Sequence, residues 1–138
     1  MHIKTFAAIL ALGLAGAGQA APAGAAPAPG GVYPLMPGMY VAQGSDCAAP
    51  PNAALRQYDG KGIGSAHTHA CRATVRAHVG KTYTVEQSCI DAGAGPAPRT
   101  SERQRIVVRN ARTFVQTVGD GDTTYHYCPA SRLPADLR

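Results

Sequence analysis

The chain has 138 residues, 13 Lys and Arg against 8 Asp and Glu, four cysteines and no tryptophan. That is enough for one small domain. A formal charge of +5 is too mild to mark a nucleic-acid binder by itself.

Met1 to Ala20 has the layout of a secretory signal peptide. His2 and Lys4 give a positive start, Thr5 to Ala17 is uncharged and apolar, and Gly18-Gln19-Ala20 places small residues at a cleavage site. The apolar run has 13 residues, too short to span the roughly 30 Å of a bilayer core. No cysteine stands at the cleavage site to carry a lipid. The expectation is a periplasmic or secreted protein without a membrane span. The Arg, Ala, Gly and Pro bias suggests a bacterial genome rich in G and C. Loss of residues 1–20 removes Lys4 and leaves 12 basic against 8 acidic side chains, a net +4.

Residues 21–37 are rich in Ala, Gly and Pro, with only Val32, Tyr33, Leu35 and Met36 to pack. They read as a flexible leader. The packed domain is then 38–138, and its core is thin. Phe114 is the only phenylalanine after the signal segment, and tyrosines supply most of the aromatic surface. Domains of this kind usually need covalent staples, and all four cysteines lie where an oxidising compartment would meet them.

Period-two alternation dominates from there on. Met39–Ala42 reads as a first strand. Ala53–Tyr58 reads as a strand or as one helical turn started by Pro50-Pro51-Asn52. Asp59-Gly60-Lys61-Gly62 is a turn by composition. His69–Val79 and Lys81–Ile90 form a hairpin about Gly80, and Asp91–Ser101 a Gly/Pro loop. Glu102–Arg109, Thr113–Val118 and Thr123–Cys128 complete the set, joined at Asn110-Ala111 and Asp120-Gly121. The predicted fold is all-β: a small antiparallel barrel or sandwich of six to seven short strands in meander order.

Folding the central hairpin so that His78 faces Thr82 sets Cys71 opposite Cys89. Ala73, Val75 and Ala77 then share a face with Gln87, Val85 and Tyr83. Arg72, Thr74, Arg76 and His78 share the other with Ser88, Glu86, Thr84 and Thr82. This favours Cys71–Cys89 and, by remainder, Cys47–Cys128; the runner-up is Cys47–Cys71 with Cys89–Cys128. In the last hairpin, a turn at Asp120-Gly121 sets Phe114 opposite Tyr127 and Gln116 opposite Tyr125. Cys128 then falls on the face away from the aromatics. It must leave by a bend or reach a second packed layer.

Two constellations carry possible chemistry. His67 and His69 share a strand face and, with His126, offer imidazoles to zinc or copper; the plainer reading is solvated histidines at a strand start. Glu86, His78, Arg72 and Arg76 resemble the kit of small secreted ribonucleases, a carboxylate base, a histidine acid and arginines for the phosphate. The plainer reading is an exposed cross-strand ion-pair cluster. Gly60-Lys61-Gly62-Ile63-Gly64 lacks the spacing of a phosphate loop, and the cysteines lack the C-x-x-C of redox catalysts.

Pro37-Gly38-Met39-Tyr40 before Cys47, a central cysteine hairpin and a terminal Tyr127-Cys128-Pro129 resemble the layout of small four-cysteine periplasmic proteins. The plan is also similar to that of periplasmic lysozyme inhibitors, which are disulfide-tied barrels. No inhibitory loop is matched here, and a net positive chain suits cationic lysozymes poorly. The expected function is therefore binding without catalysis or cofactor, by a monomer in the bacterial envelope. The partner would be an anionic envelope component or another secreted protein. The alternatives are the RNase-like phosphodiesterase and the metal binder.

Overall fold

The computed structural model describes residues 27–91 and 98–138. The expected signal segment, residues 21–26 of the leader and residues 92–97 of the Gly/Pro loop lie outside that range. Eight strands make one antiparallel sheet: β1 (Gly38–Ala42), β2 (Leu55–Tyr58), β3 (Ile63–Ser65), β4 (Thr68–Val79), β5 (Thr82–Asp91), β6 (Arg99–Asn110), β7 (Thr113–Val118) and β8 (Gly121–Cys128). Their order is β3-β2-β1-β8-β7-β6-β5-β4. This is a meander that curls until β3 approaches β4, a nearly closed barrel. The eighth strand is β3, three residues inside a glycine-rich stretch where alternation is too short to read. Residues 53–58 hold both expected forms, a 3-10 turn at Asn52–Ala54 running into β2.

The seam between β3 and β4 is closed without a full ladder. Ala73 N–H donates to the Lys61 carbonyl at 2.8 Å. From inside the barrel the Gln87 amide mimics a strand: its oxygen accepts from Ile63 N–H (2.8 Å) and its nitrogen donates to the Ile63 carbonyl (2.6 Å). Gly62 permits the approach, since a Cβ there would lie 2.8 Å from the backbone of Cys71.

The central hairpin follows the expected register over Arg72↔Ser88, Ala73↔Gln87, Thr74↔Glu86 and Val75↔Val85. Nearer the turn it departs: His78 pairs with Tyr83, not Thr82, and Val79 pairs with Thr82. A two-residue turn with Gly80 at φ +58° suits the strand twist. The extra residue is absorbed by a bulge between Val75 and Ala77. A second irregularity lies between His69 and Arg72, where Ala70 takes φ +49°. The last hairpin is shifted by two residues from expectation, with Phe114↔Tyr125, Gln116↔Thr123 and Val118↔Gly121. Its turn is Gly119-Asp120, with Gly119 at φ +57°. A shift of two preserves the faces, so the aromatic side still points inward.

Both favoured disulfides are present, Cys71–Cys89 within the β4–β5 hairpin and Cys47–Cys128. The second lies in a separate small core with Val41, Leu55 and Leu133, backed by Met39 and Leu137. Cys128 thus reaches a second layer. The segment leading to β2 and the C-terminal turns cover the outside of the β8–β1–β2 wall there. Val41 and Leu55 are neighbours in the β1–β2 register and face out of the barrel, while Tyr40 and Tyr58 face in.

The main core corrects the expected domain boundary at residue 38. Tyr33 and Leu35, placed in the leader by composition, are wholly buried beside Tyr40, Tyr58, Phe114 and Ile106. The segment bends at Gly30–Leu35 and plugs one end of the barrel. Its backbone is fixed by Val32 N–H to the Gly60 carbonyl and Met36 N–H to the Ala111 carbonyl, both 2.8 Å. Gly31 has φ +91°, and a Cβ there would lie 2.3 Å from the Gly60 oxygen. Composition fails because two large side chains suffice once a preformed aromatic socket receives them. The Tyr33 ring sits edge-on to Tyr83 at 5.2 Å and tilted against Tyr58 at 5.7 Å.

Two tyrosines in this socket predict opposite responses to loss of a hydroxyl. The Tyr58 hydroxyl accepts from Tyr33 N–H (2.9 Å) and lies against the Gly30 (2.7 Å) and Tyr33 (2.9 Å) carbonyls. Tyr58→Phe should cost about 1–3 kcal/mol by orphaning these buried groups. The Tyr33 hydroxyl is buried with no hydrogen-bond partner among the described residues, and burial pushes its pKa up. Tyr33→Phe should be neutral or stabilising by up to about 2 kcal/mol. Urea unfolding of both variants checks the pair; equal losses would refute it.

Candidate functional sites

The β4–β5–β6 wall carries the candidate phosphodiester residues. Thr74↔Glu86 and Glu86↔Arg103 place Glu86 on the outer face between β4 and β6. Arg76 grips its Oε2 through Nε (3.2 Å) and Nη2 (2.6 Å), both side chains being about half exposed. His78 does not join them. Its register partner Tyr83 faces the core, three positions from Glu86 and so on the other side of the strand. The imidazole stacks on Tyr83 at 4.0 Å, and Nε2 bonds the Gly80 carbonyl at 2.7 Å. The bulge near Arg76 is the cause, because one extra residue inverts every later side chain. Glu86, Arg72 and Arg76 share a neighbourhood, but the expected acid is elsewhere.

Further arginines do come to that wall. The alternation of β6 turns Arg103 and Arg105 outward. Arg99, at the start of β6, donates to the Ala70 (2.8 Å) and Ser88 (2.9 Å) carbonyls. With Arg72 and Arg76 that makes five guanidinium groups over three adjacent strands. Glu86 bonds Arg76, and Asp122 lies 3.4 Å from Arg105. No family model matches this chain, and no curated protein or solved structure is significantly similar to it.

The histidines expected to bind metal are placed apart. His67 and His69 are exposed around the β3–β4 turn, where His67 N–H donates to the Ser65 hydroxyl at 3.2 Å. His126 is on β8, opposite Val41 and Thr113, with Nδ1 3.4 Å from the Thr113 hydroxyl. Among the described residues no three His, Cys, Asp or Glu side chains cluster as a metal site.

Sequence reasoning missed a second site, the inside of the barrel opposite the plug. There the core turns polar. Gln87, Gln104 and Gln116 are each at most 7 % exposed, on neighbouring inward positions of β5, β6 and β7. The Gln104 oxygen accepts from Gln116 Nε2 (2.8 Å) and Gln87 Nε2 (3.3 Å). Gln104 Nε2 donates to Glu102 (3.1 Å), and the Gln116 oxygen accepts from Arg56 Nε (2.9 Å). These bonds satisfy the buried amides and floor an open cup of about 300 Å³. Ser65, Thr68 and Thr100 line its rim with Glu102 and Arg56. The Arg56 guanidinium also lies over the Tyr125 ring at 4.8 Å. Alternation already turned Gln87 to the face of Val85 and Gln116 to the face of Phe114; what it could not show is that the three amides meet and bond one another.

Proposed function

We propose that the protein is an exported, non-catalytic binding module that holds an anionic component of the bacterial envelope against its arginine-bearing outer wall. The observation that carries the reading is the alignment of Arg72, Arg76, Arg99, Arg103 and Arg105 against two bonded carboxylates. Exposed guanidinium groups bind phosphate oxygens as planar forks, and a rigid antiparallel wall fixes their spacing. Export is supported by the layout of Met1–Ala20 and by two disulfides, which persist in oxidising compartments. Among the described residues no helix is long and apolar enough to cross a membrane. The absence of His78 from the Glu86 cluster favours binding over phosphodiester cleavage.

The test is sedimentation with phosphatidylglycerol vesicles, and with phosphatidylcholine vesicles as control. The protein should bind the anionic vesicles and release them as salt rises. Each arginine near such a surface is worth about 1 kcal/mol, so Arg72→Glu with Arg103→Glu should weaken binding at least tenfold. Unchanged binding by that double variant would sink the reading. RNA incubated with the protein should stay intact; cleavage abolished by Glu86→Gln would restore the enzyme.

A further inference from the structure

We infer that the polar cup binds a small zwitterion, with its carboxylate on Arg56 and its ammonium group on Glu102. This site is separate from the outer wall and faces the barrel interior.

The argument starts from which polar groups remain open. Arg56 spends Nε on Gln116 (2.9 Å) and Nη1 on the Leu55 (2.7 Å) and Ala53 (3.3 Å) carbonyls. Stacking over Tyr125 holds the plane. The Nη2 donors have no protein partner among the described residues. Among the described residues Arg56 forms none of the ion pairs, which involve Arg76, Arg105 and Arg132. The guanidinium is held in place by these bonds with its Nη2 edge free, and a ligand carboxylate is the group that such an edge binds best.

Glu102 sits in the same cup. Its Oε2 accepts from Gln104, and Oε1 has no partner among the described residues. Between the two charges Gln87 spends both N–H groups on Ile63 and Gln104, while among the described residues Gln104 and Gln116 each keep one N–H open, so the glutamines can orient a guest that the two charges anchor. A purely anionic guest would meet Glu102 unfavourably, and a purely cationic one would meet Arg56. One guest with both charges satisfies each. At about 30 Å³ per water-sized unit the cavity holds roughly ten non-hydrogen atoms, the size of a dipeptide.

The probe is glycylglycine, titrated into the isotope-labelled protein and followed by amide NMR shifts. N-acetylglycylglycine lacks the ammonium group and glycylglycinamide lacks the carboxylate. Glycylglycine should shift amides around Arg56, Gln104 and Gln116, and each blocked form should bind at least about tenfold more weakly, the value of one charge-assisted hydrogen bond. Glu102→Gln should bring glycylglycine down to the level of the N-acetyl form. Arg56→Lys should weaken it at least tenfold; if that variant does not fold, Glu102→Gln still decides. Equal binding of glycylglycine and its N-acetyl form overturns the inference, as do shifts confined to other regions or no shift at tens of millimolar. None of these outcomes bears on vesicle binding, which uses other residues.

Discussion

A chain that starts at Gly38 should fail to fold, while one that starts at residue 27 should fold fully. The difference is the plug. Tyr33 and Leu35 are both 0 % exposed. Losing side chains of that size from a core costs about 2–5 kcal/mol each, so the pair approaches the 5–15 kcal/mol total of a typical small domain. The truncation also leaves the Tyr58 hydroxyl without its three plug partners and opens the socket of Tyr83 and Phe114 to water. Amide NMR dispersion and urea unfolding of the two chains provide the measurement. The same midpoint for both would show that the barrel closes without the plug.

The second large effect is unequal dependence on the two disulfides. Cys47–Cys128 spans 81 residues and Cys71–Cys89 spans 18. Chain-entropy arithmetic gives about 4.5 kcal/mol for the longer loop and about 3 for the shorter. Replacing Cys47 and Cys128 by serine should therefore cost more than replacing Cys71 and Cys89. The short loop also lies inside a hairpin already held by its β4–β5 ladder. The long one joins the C-terminal end of β8 to the segment after β1 and anchors the outer core of Val41, Leu55 and Leu133. With both removed, the summed loss of roughly 7–8 kcal/mol exceeds the stability of many small domains. The reduced chain, made without residues 1–20, should be largely unfolded. Unfolding midpoints of the two double variants test the order, and a dispersed NMR spectrum of the reduced chain would refute the rest.

Much of the barrel wall was legible because its signals are local. Alternation marked β1 and β4 to β8. Superposition of Cys71 on Cys89 followed from one hairpin register, and it survives although a bulge displaces the half nearer the turn. That bulge could not be read, because no residue type announces it; the preference of Gly80 for a tight turn and the need to keep Val75 on Val85 decide it jointly. It is the reason His78 leaves Glu86. The outer arginine wall was only half visible. The hairpin register places Arg72 and Arg76 beside Glu86, whereas Arg103 and Arg105 join them only through the pairing of β6 with β5.

By itself the sequence determined the strand-rich class, the hairpin about Gly80, a preference for the observed cysteine pairing and the inward side of Phe114 and Tyr125, all consequences of period two and short loops. Tertiary structure alone decided three things. Tyr33 and Leu35 belong to the core, because a socket made by β2, β5 and β7 accepts them. Cys128 faces a second core, because the segments flanking the barrel fold over its outer wall. Gln87, Gln104 and Gln116 bond one another, because a nearly closed barrel brings the three amides together and lets Gln87 close its seam at Ile63. A polar side chain on an apolar face has no visible partner in the sequence until groups distant along the chain are brought within hydrogen-bond reach.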